Sequence, residues 1–224
     1  MDALTRKIGQ RLDVVDFETC LLATWEVAEA TLPYARSLLA SPEEAFGNGG
    51  AIVAKLLAQN PNRTLEDLGH ARVDSVASMP LGYKESWTDL DATLKVTAAL
   101  SDLADALRAN VALCGAYDAL RTDCYPYSMT TGGDIGAFAQ ALAQDVAMHS
   151  DLRGKASALS AALGAAVYVQ PPGTSGLSIY LPALSIPVGT PTGNRTLDPS
   201  YAASGTVWAT QSSWDEFLTA CRQQ

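Results

Sequence analysis

The segment Leu12-Asp13-Val14-Val15-Asp16-Phe17-Glu18 constrains the fold more than any other stretch of the chain. It is a short run of β-formers that stops at Thr19-Cys20. Directly behind it, Leu21, Trp25, Ala28, Leu32, Ala35 and Leu39 recur at spacings of three and four, which predicts one long helix. Pro33 inside that pattern predicts a kink or break. A buried strand feeding a helix is the building unit of α/β sheets. The alternation continues along the chain. Helical patterns cover Ala51 to Ala58, the stretch from a Thr64/Asp67 capping box, about Asp89 to beyond Leu107, Ile135 to Met148, and Leu152 to Leu163. In the longest of these, Leu90, Leu94, Leu100, Leu103 and Leu107 form the expected buried face. Ala165 to Gln170 and Gly176 to Leu181 read as strands, the second ended by Pro182. Met79 to Thr88 and Leu184 to Pro199 read as loops, and Ser213-Trp214-Asp215-Glu216 as a capping box opening a terminal helix. The expected class is helix-rich α/β with a central sheet.

At 224 residues with no internal repeat and no dividing linker, the expectation is one domain, 1–224. Hydrophobic residues at 48% against 17% charged supply a sizeable core. A formal charge of -9 argues against nucleic acid as a partner, because phosphate contacts need clustered cations. No apolar stretch approaches the ~20 residues that span a bilayer, so no membrane helix is expected. Met1 to Lys7 is charged and has no apolar run of the signal-peptide kind, leaving localisation open.

The chemistry starts at Cys20. A thiol where a strand gives way to a helix lies where open α/β sheets build their sites, and backbone amides at a helix start would favour its thiolate. That is what a cysteine nucleophile needs. Cys114, Cys124 and Cys221 are the remaining cysteines. No Cys-x-x-Cys pair exists, so neither a disulfide framework nor a zinc site is expected. Cys114 and Cys124 could bridge locally, but thiols buried in apolar helices are the simpler reading. The histidines are His70, in a helical pattern, and His149, read as ending a helix where a cation suits the dipole. Gly47 to Gly50 lacks the Gly-Lys-Ser/Thr of a phosphate loop, Gly132-Gly133-Asp134 reads as a helix start, and no Gly-x-Ser-x-Gly elbow is present. Glu43, Glu44 and Asp134 could serve calcium, but no ligand loop is visible and a solvated acidic surface is expected.

Taken in order, four segments resemble the clostripain family of cysteine peptidases. Leu12 to Ala28 resembles the nucleophile region, in which a strand ending Phe-Asp-x-Cys-Leu-Met runs into a helix carrying Glu-Val-Ala. Ala40-Ser41-Pro42-Glu43-Glu44 and Gly47-Asn48-Gly49-Gly50 resemble its Ser-x-Glu and Pro-Gly-x-Gly-Trp loop. Gly176 to Pro182 resembles its Gly-Leu-Ser-Ile-Tyr-Phe-Pro strand, and Trp214 to Leu218 its C-terminal helix. The resemblance implies a caspase- and gingipain-like α/β/α sandwich, here the C-terminal part. It implies a cysteine endopeptidase with Cys20 as nucleophile and with Glu18 and Asn48 lining the P1 pocket. Peptide or protein is then the substrate, and no cofactor is required.

The departures shape the expectation. Glu18 stands where the family has aspartate, and Asn48 brings no charge, which weakens the implied cleavage after Arg or Lys. The family's catalytic His-Gly pair lies on the strand preceding the cysteine strand, well upstream of it, whereas 19 residues precede Cys20. His70 is followed by Ala71. The chain therefore reads as a piece without its upstream strands and its base, inactive unless a light-chain segment supplies the histidine. The alternative is a non-catalytic folding or binding module. With those strands missing, the Leu12 to Glu18 strand should expose one edge.

Overall fold

The protein is described by a computed structural model covering residues 1–43, 49–78, 84–124, 132–171, 173–182, 201 and 207–223. The elements run α1 (Asp2–Ile8), β1 (Leu12–Asp16), α2 (Trp25–Thr31), β2 (Ala35–Ala40), α3 (Gly49–Gln59), α4 (Leu65–Ala77), β3 (Ser86–Asp89) and α5 (Thr93–Arg108). They continue with α6 (Cys114–Asp123), β4 (Gly132–Asp134), α7 (Ile135–Gln144), α8 (Ser150–Ala166), β5 (Val167–Val169), β6 (Ser178–Tyr180), α9 (Val207–Gln211) and α10 (Trp214–Arg222). The residues divide into two compact units, Met1–Thr93 with Gly164–Leu177, and Leu94–Leu163 with Ser178–Gln224.

The first unit is a three-layer sandwich. Its sheet has the order β1-β2-β3-β5, with β1 parallel to β2 and the other pairings antiparallel. One face packs Val15, Leu38 and Ala40 against Ala28, Val27 and Leu32 around α2. The opposite face packs Val14, Leu39 and Trp87 against Val53 and Leu56 of α3 and Leu68 and Val73 of α4. Alternation along β1 thus sends Val14 and Val15 to opposite layers. Gly69 lets α4 sit directly on the sheet, since a Cβ there would lie 2.4 Å from the Trp87 ring.

The long helix expected from Leu21 to Leu39 does not form. α2 ends at Thr31, and Leu32 to Tyr34 turn the chain into β2. Pro33 stops the helix outright, and Ala35, Ser37, Leu38, Leu39 and Ala40 are buried together. A strand covered on both faces shows no alternation, so its apolar spacing passed for a helix. The expected loop over Met79 to Thr88 contains the start of β3, which gains its stability from pairing with β2. Leu94, expected in the core, is 54% exposed, while Leu100, Leu103 and Leu107 are buried.

In the second unit β4 pairs antiparallel with β6. An aromatic core joins Tyr117 of α6, Phe138 of α7, and Trp214 and Phe217 of α10, with Tyr117 and Phe217 edge to face at 5.4 Å. The Tyr117 hydroxyl donates to the Pro182 carbonyl at 3.0 Å, and Trp214 Nε1 donates to the Tyr180 carbonyl at 2.9 Å. A disulfide links Cys114 to Cys221, overturning both the local Cys114–Cys124 bridge and the thiol reading for that pair. Cys124 is a buried thiol that donates to the Leu120 carbonyl at 3.2 Å. The Ser213 box is also corrected. Ser213 makes no side-chain cap, and Ser212 Oγ accepts from the Trp214 amide at 3.3 Å.

Among the described residues β1 is an edge strand, as expected, since it pairs with β2 alone. An edge presenting unpaired amides and carbonyls recruits further strands. Light scattering is expected to show association that grows with concentration, and a monodisperse monomer at high concentration would contradict this.

Candidate active site

The Cys20 turn begins where β1 ends. Phe17 still pairs, its amide donating to the Leu39 carbonyl at 2.9 Å, and the chain then leaves the sheet. Cys20 lies in a turn beyond the strand end and is half-buried. Among the described residues it does not follow a central strand, because β1 is outermost in the sheet. Nor does it sit at the start of α2. That helix begins at Trp25, and Thr24 caps it by accepting from the Val27 amide at 3.1 Å. The helix amides expected to serve the Cys20 thiol begin five residues further on.

What holds the turn is the segment after β2. The Leu21 amide donates to the Glu43 carbonyl and the Ala23 amide to the Ser41 carbonyl, each at 2.9 Å. Ser41 is fully buried, and its hydroxyl donates to the Glu43 carbonyl at 3.0 Å while accepting from the Glu43 amide at 3.1 Å. Glu43 in turn pairs with Lys84 at 2.9 Å. This clamp gives the Ser-x-Glu segment a physical task, positioning the residue after the cysteine. Leu21 has a φ of 63°, in the left-handed region. That conformation costs a non-glycine residue about 1–2 kcal/mol, which the clamp offsets.

Glu18 follows Asp16 in the strand alternation and is exposed. Its Oε1 accepts from the Gly50 amide in the first turn of α3, so a carboxylate meets the positive end of that helix. Glu18 and Cys20 thus share one end of the sheet. Asn48 lies outside the described residues. His70 is on the exposed side of α4, as expected. His149 differs from its reading. It precedes α8, and its carbonyl accepts from the Arg153 amide, so it marks a helix start. Glu43 is ion-paired, and Asp134 is buried and accepts from the Ala137 amide at 2.8 Å as the cap of α7, so neither is part of a solvated acidic surface. Among the described residues no group of three or more His, Cys, Asp or Glu is placed to hold a metal ion, and no helix is long and apolar enough to cross a membrane.

Sequence reasoning missed a charge cluster beneath this turn. Arg72 of α4 donates from Nη2 to Glu85 Oε1 at 2.7 Å, with side-chain exposures of 2% and 6%. Arg72 Nε and Nη1, Glu85 Oε2 and Asp16 Oδ1 are buried with no hydrogen-bond partner among the described residues. Burial pushes the Glu85 carboxyl up to about 7, outweighing the attraction of Arg72, and the charges of Asp16 and Glu18 add to the rise. Asp16 is raised in the same way, by burial first and by Glu18 after it, against Arg72. A polar residue on the apolar face of β1 was the available signal.

A carboxyl held above its ordinary value stabilises the fold only while it keeps its proton. The Glu85 contribution is complete below about pH 4.5 and lost once the pH passes about 7. Urea unfolding is therefore expected to show stability falling with pH between 5 and 8, by on the order of 2–3 kcal/mol from this group. Glu85→Gln should flatten that slope, and an unchanged slope would refute the assignment.

The model of the clostripain family, Peptidase_C11, matches residues 1–153. The chain belongs to the clostripain family. No curated protein sequence matches it. Solved structures agree on the fold. A clostripain from Bacteroides thetaiotaomicron, in complex with the peptide inhibitor BTN-VLTK-AOMK, aligns at TM-score 0.60 and 13% identity over 94% of this chain and 91% of that one. A B. fragilis cysteine protease aligns at 0.61 and 16%, over 94% and 93%. An inactive zymogen C11 protease from Parabacteroides distasonis aligns at 0.55 and 17%, over 81% of this chain and 56% of that one. The fold is the caspase-like α/β arrangement of these peptidases, and the clostripain-family chain is a cysteine peptidase by family.

Proposed function

We propose that this clostripain-family chain is the nucleophile-bearing part of an endopeptidase that cleaves after basic residues, forming one peptidase domain with a segment that supplies the histidine. The observation that carries the reading is the clamped turn, which fixes the chain around Cys20 at the same end of the sheet as the exposed Glu18. The Cys20 thiolate attacks the scissile carbonyl, and the oxyanion is held by backbone amides at Cys20 and near the histidine. The Leu21 amide is spent on Glu43 and takes no part. An imidazolium on the partner segment gives its proton to the leaving amine, and water then attacks the thioester, releasing the acid and restoring the thiol. A thiolate and an imidazole suffice for this acyl transfer, so the reading assigns no cofactor.

Glu18 and Asn48 line the P1 pocket in this reading, and a carboxylate pairs well with a guanidinium or ammonium. The inhibitor bound to the Bacteroides thetaiotaomicron clostripain carries lysine as the last residue of its VLTK peptide, which supports a basic P1 here. The test is alkylation with a peptidyl chloromethyl ketone bearing lysine at P1, whose chloride the thiolate displaces, read by peptide mass mapping. Label is expected on Cys20, with Cys124 protected by burial. Label elsewhere, or label insensitive to Cys20→Ala, would favour a non-catalytic module.

A further inference from the structure

Leu21, directly after Cys20, is the one non-glycine residue with a positive φ among the described residues, at 63°. A leucine has no preference for that region and returns to a negative φ unless its surroundings forbid it. What forbids it is the segment after β2. Ser41 is fully buried. Pro42 has its φ fixed by its ring and brings Glu43 round beneath the Ser41 side chain. The Ser41 hydroxyl then donates to the Glu43 carbonyl at 3.0 Å and accepts from the Glu43 amide at 3.1 Å. So fixed, the Glu43 carbonyl takes the Leu21 amide and the Ser41 carbonyl takes the Ala23 amide. The two links bracket the chain just beyond the cysteine. Rotation about φ at Leu21 turns the peptide that joins it to Cys20, so the backbone state of one residue decides where the other points.

We propose that Ser41 is a positioning residue for the peptidase reaction: by holding Leu21 left-handed it fixes the direction in which Cys20 presents its thiol to a bound substrate. This rests on the reading that Cys20 is the nucleophile. Ser41 acts through Leu21 and needs no contact with the substrate. Without its hydroxyl the Glu43 carbonyl is free to swing, the Leu21 amide loses its fixed acceptor, and Leu21 relaxes and carries Cys20 out of line. A reacting atom displaced by about an ångström loses much of its rate, whereas binding made elsewhere is unchanged. Glu18, which is read as meeting P1, is held by the Gly50 amide and not by the clamp.

The test needs no turnover. The 224-residue chain is treated with the lysyl chloromethyl ketone and, separately, with iodoacetamide, which alkylates a thiol from any direction. Ser41→Ala is expected to slow the limiting rate of Cys20 alkylation by the ketone about tenfold, while the half-saturating concentration and the iodoacetamide rate each change by less than about twofold. A merely structural defect would move all three together. Leu21→Gly in the Ser41→Ala background should bring the limiting rate back to within about threefold of the parent, because glycine takes a positive φ without strain. Leu21→Val leaves Ser41 in place and makes the left-handed state harder to hold, so it should repeat the loss of about tenfold. That variant keeps the inference testable if Ser41→Ala fails to fold. If the parent shows no saturable alkylation of Cys20, the nucleophile reading itself fails. If the parent shows it and Leu21→Val keeps the full limiting rate, or Leu21→Gly does not restore the Ser41→Ala chain, this inference alone is overturned.

Discussion

Fused behind a segment that carries a His-Gly pair on a β-strand, the chain is expected to hydrolyse a peptide with lysine at P1 about 10²- to 10⁴-fold faster than it does by itself. The factor is what a positioned acid-base group contributes, because an amine leaves an acyl-transfer intermediate slowly unless it is protonated as it departs. The outer edge of β1 is where such a strand would add, since β1 pairs with β2 alone among the described residues. Within the chain, His70 sits on the outer side of α4 and His149 at the start of α8. His70→Ala and His149→Ala are therefore expected to change the fused enzyme's kcat/KM by less than twofold, while Cys20→Ala removes activity. Turnover by the 224-residue chain alone, abolished by His70→Ala or His149→Ala, would show that one of these is the base and would defeat the proposal.

Reduction of the Cys114–Cys221 disulfide is expected to lower stability by about 4–5 kcal/mol. The two cysteines are 107 residues apart in sequence, and closing a loop of that size removes much of the disorder available to the unfolded chain. The bridge ties the start of α6 to the end of α10, the helices whose Tyr117, Trp214 and Phe217 make the aromatic core. Urea titrations with and without reductant measure the loss, and Cys221→Ser should reproduce it with no further effect of reductant. Equal midpoints under both conditions would mean the bond does not form. Disulfides persist in oxidising surroundings, so protein made in a reducing cytosol should unfold at the lower midpoint.

What the sequence disclosed follows how local each signal is. The Thr64 cap was legible because its hydroxyl and the Asp67 amide are three residues apart, and the bond is there at 3.1 Å. β1 was legible as a run of β-formers. β2 was not, because Ala35 and Leu39 satisfy a helical spacing as well as a strand buried on both sides, and tertiary packing decides between them. β3 is four residues long and exists through its partners. α6 and α9 were not anticipated. At the site, the resemblance carried Cys20 and Glu18. It contained nothing of Arg72 and Glu85, which meet only when α4 lies down on the sheet. The Cys114 pairing was illegible for the same reason, since the sequence favoured buried thiols and offered only Cys124 as a nearby partner, whereas Cys221 is 107 residues away.

The division of the chain into interleaved stretches governs how it emerges from a ribosome. The first unit takes residues up to Thr93 and then Gly164–Leu177. β3 waits for β5, and the Tyr168–Asp89 hydrogen bond closes across 79 residues. Until then a nascent chain holds a three-stranded sheet with both outer strands unpaired, and Trp87 and Leu39 lack the cover of Val169. Such non-local closure is slow and leaves adhesive strands available in the meantime. Translation that pauses between Asp89 and Val169 would therefore lengthen the sticky interval. A reading frame trimmed anywhere in that window would leave β3 without β5 and so leave the β3 edge of the sheet open.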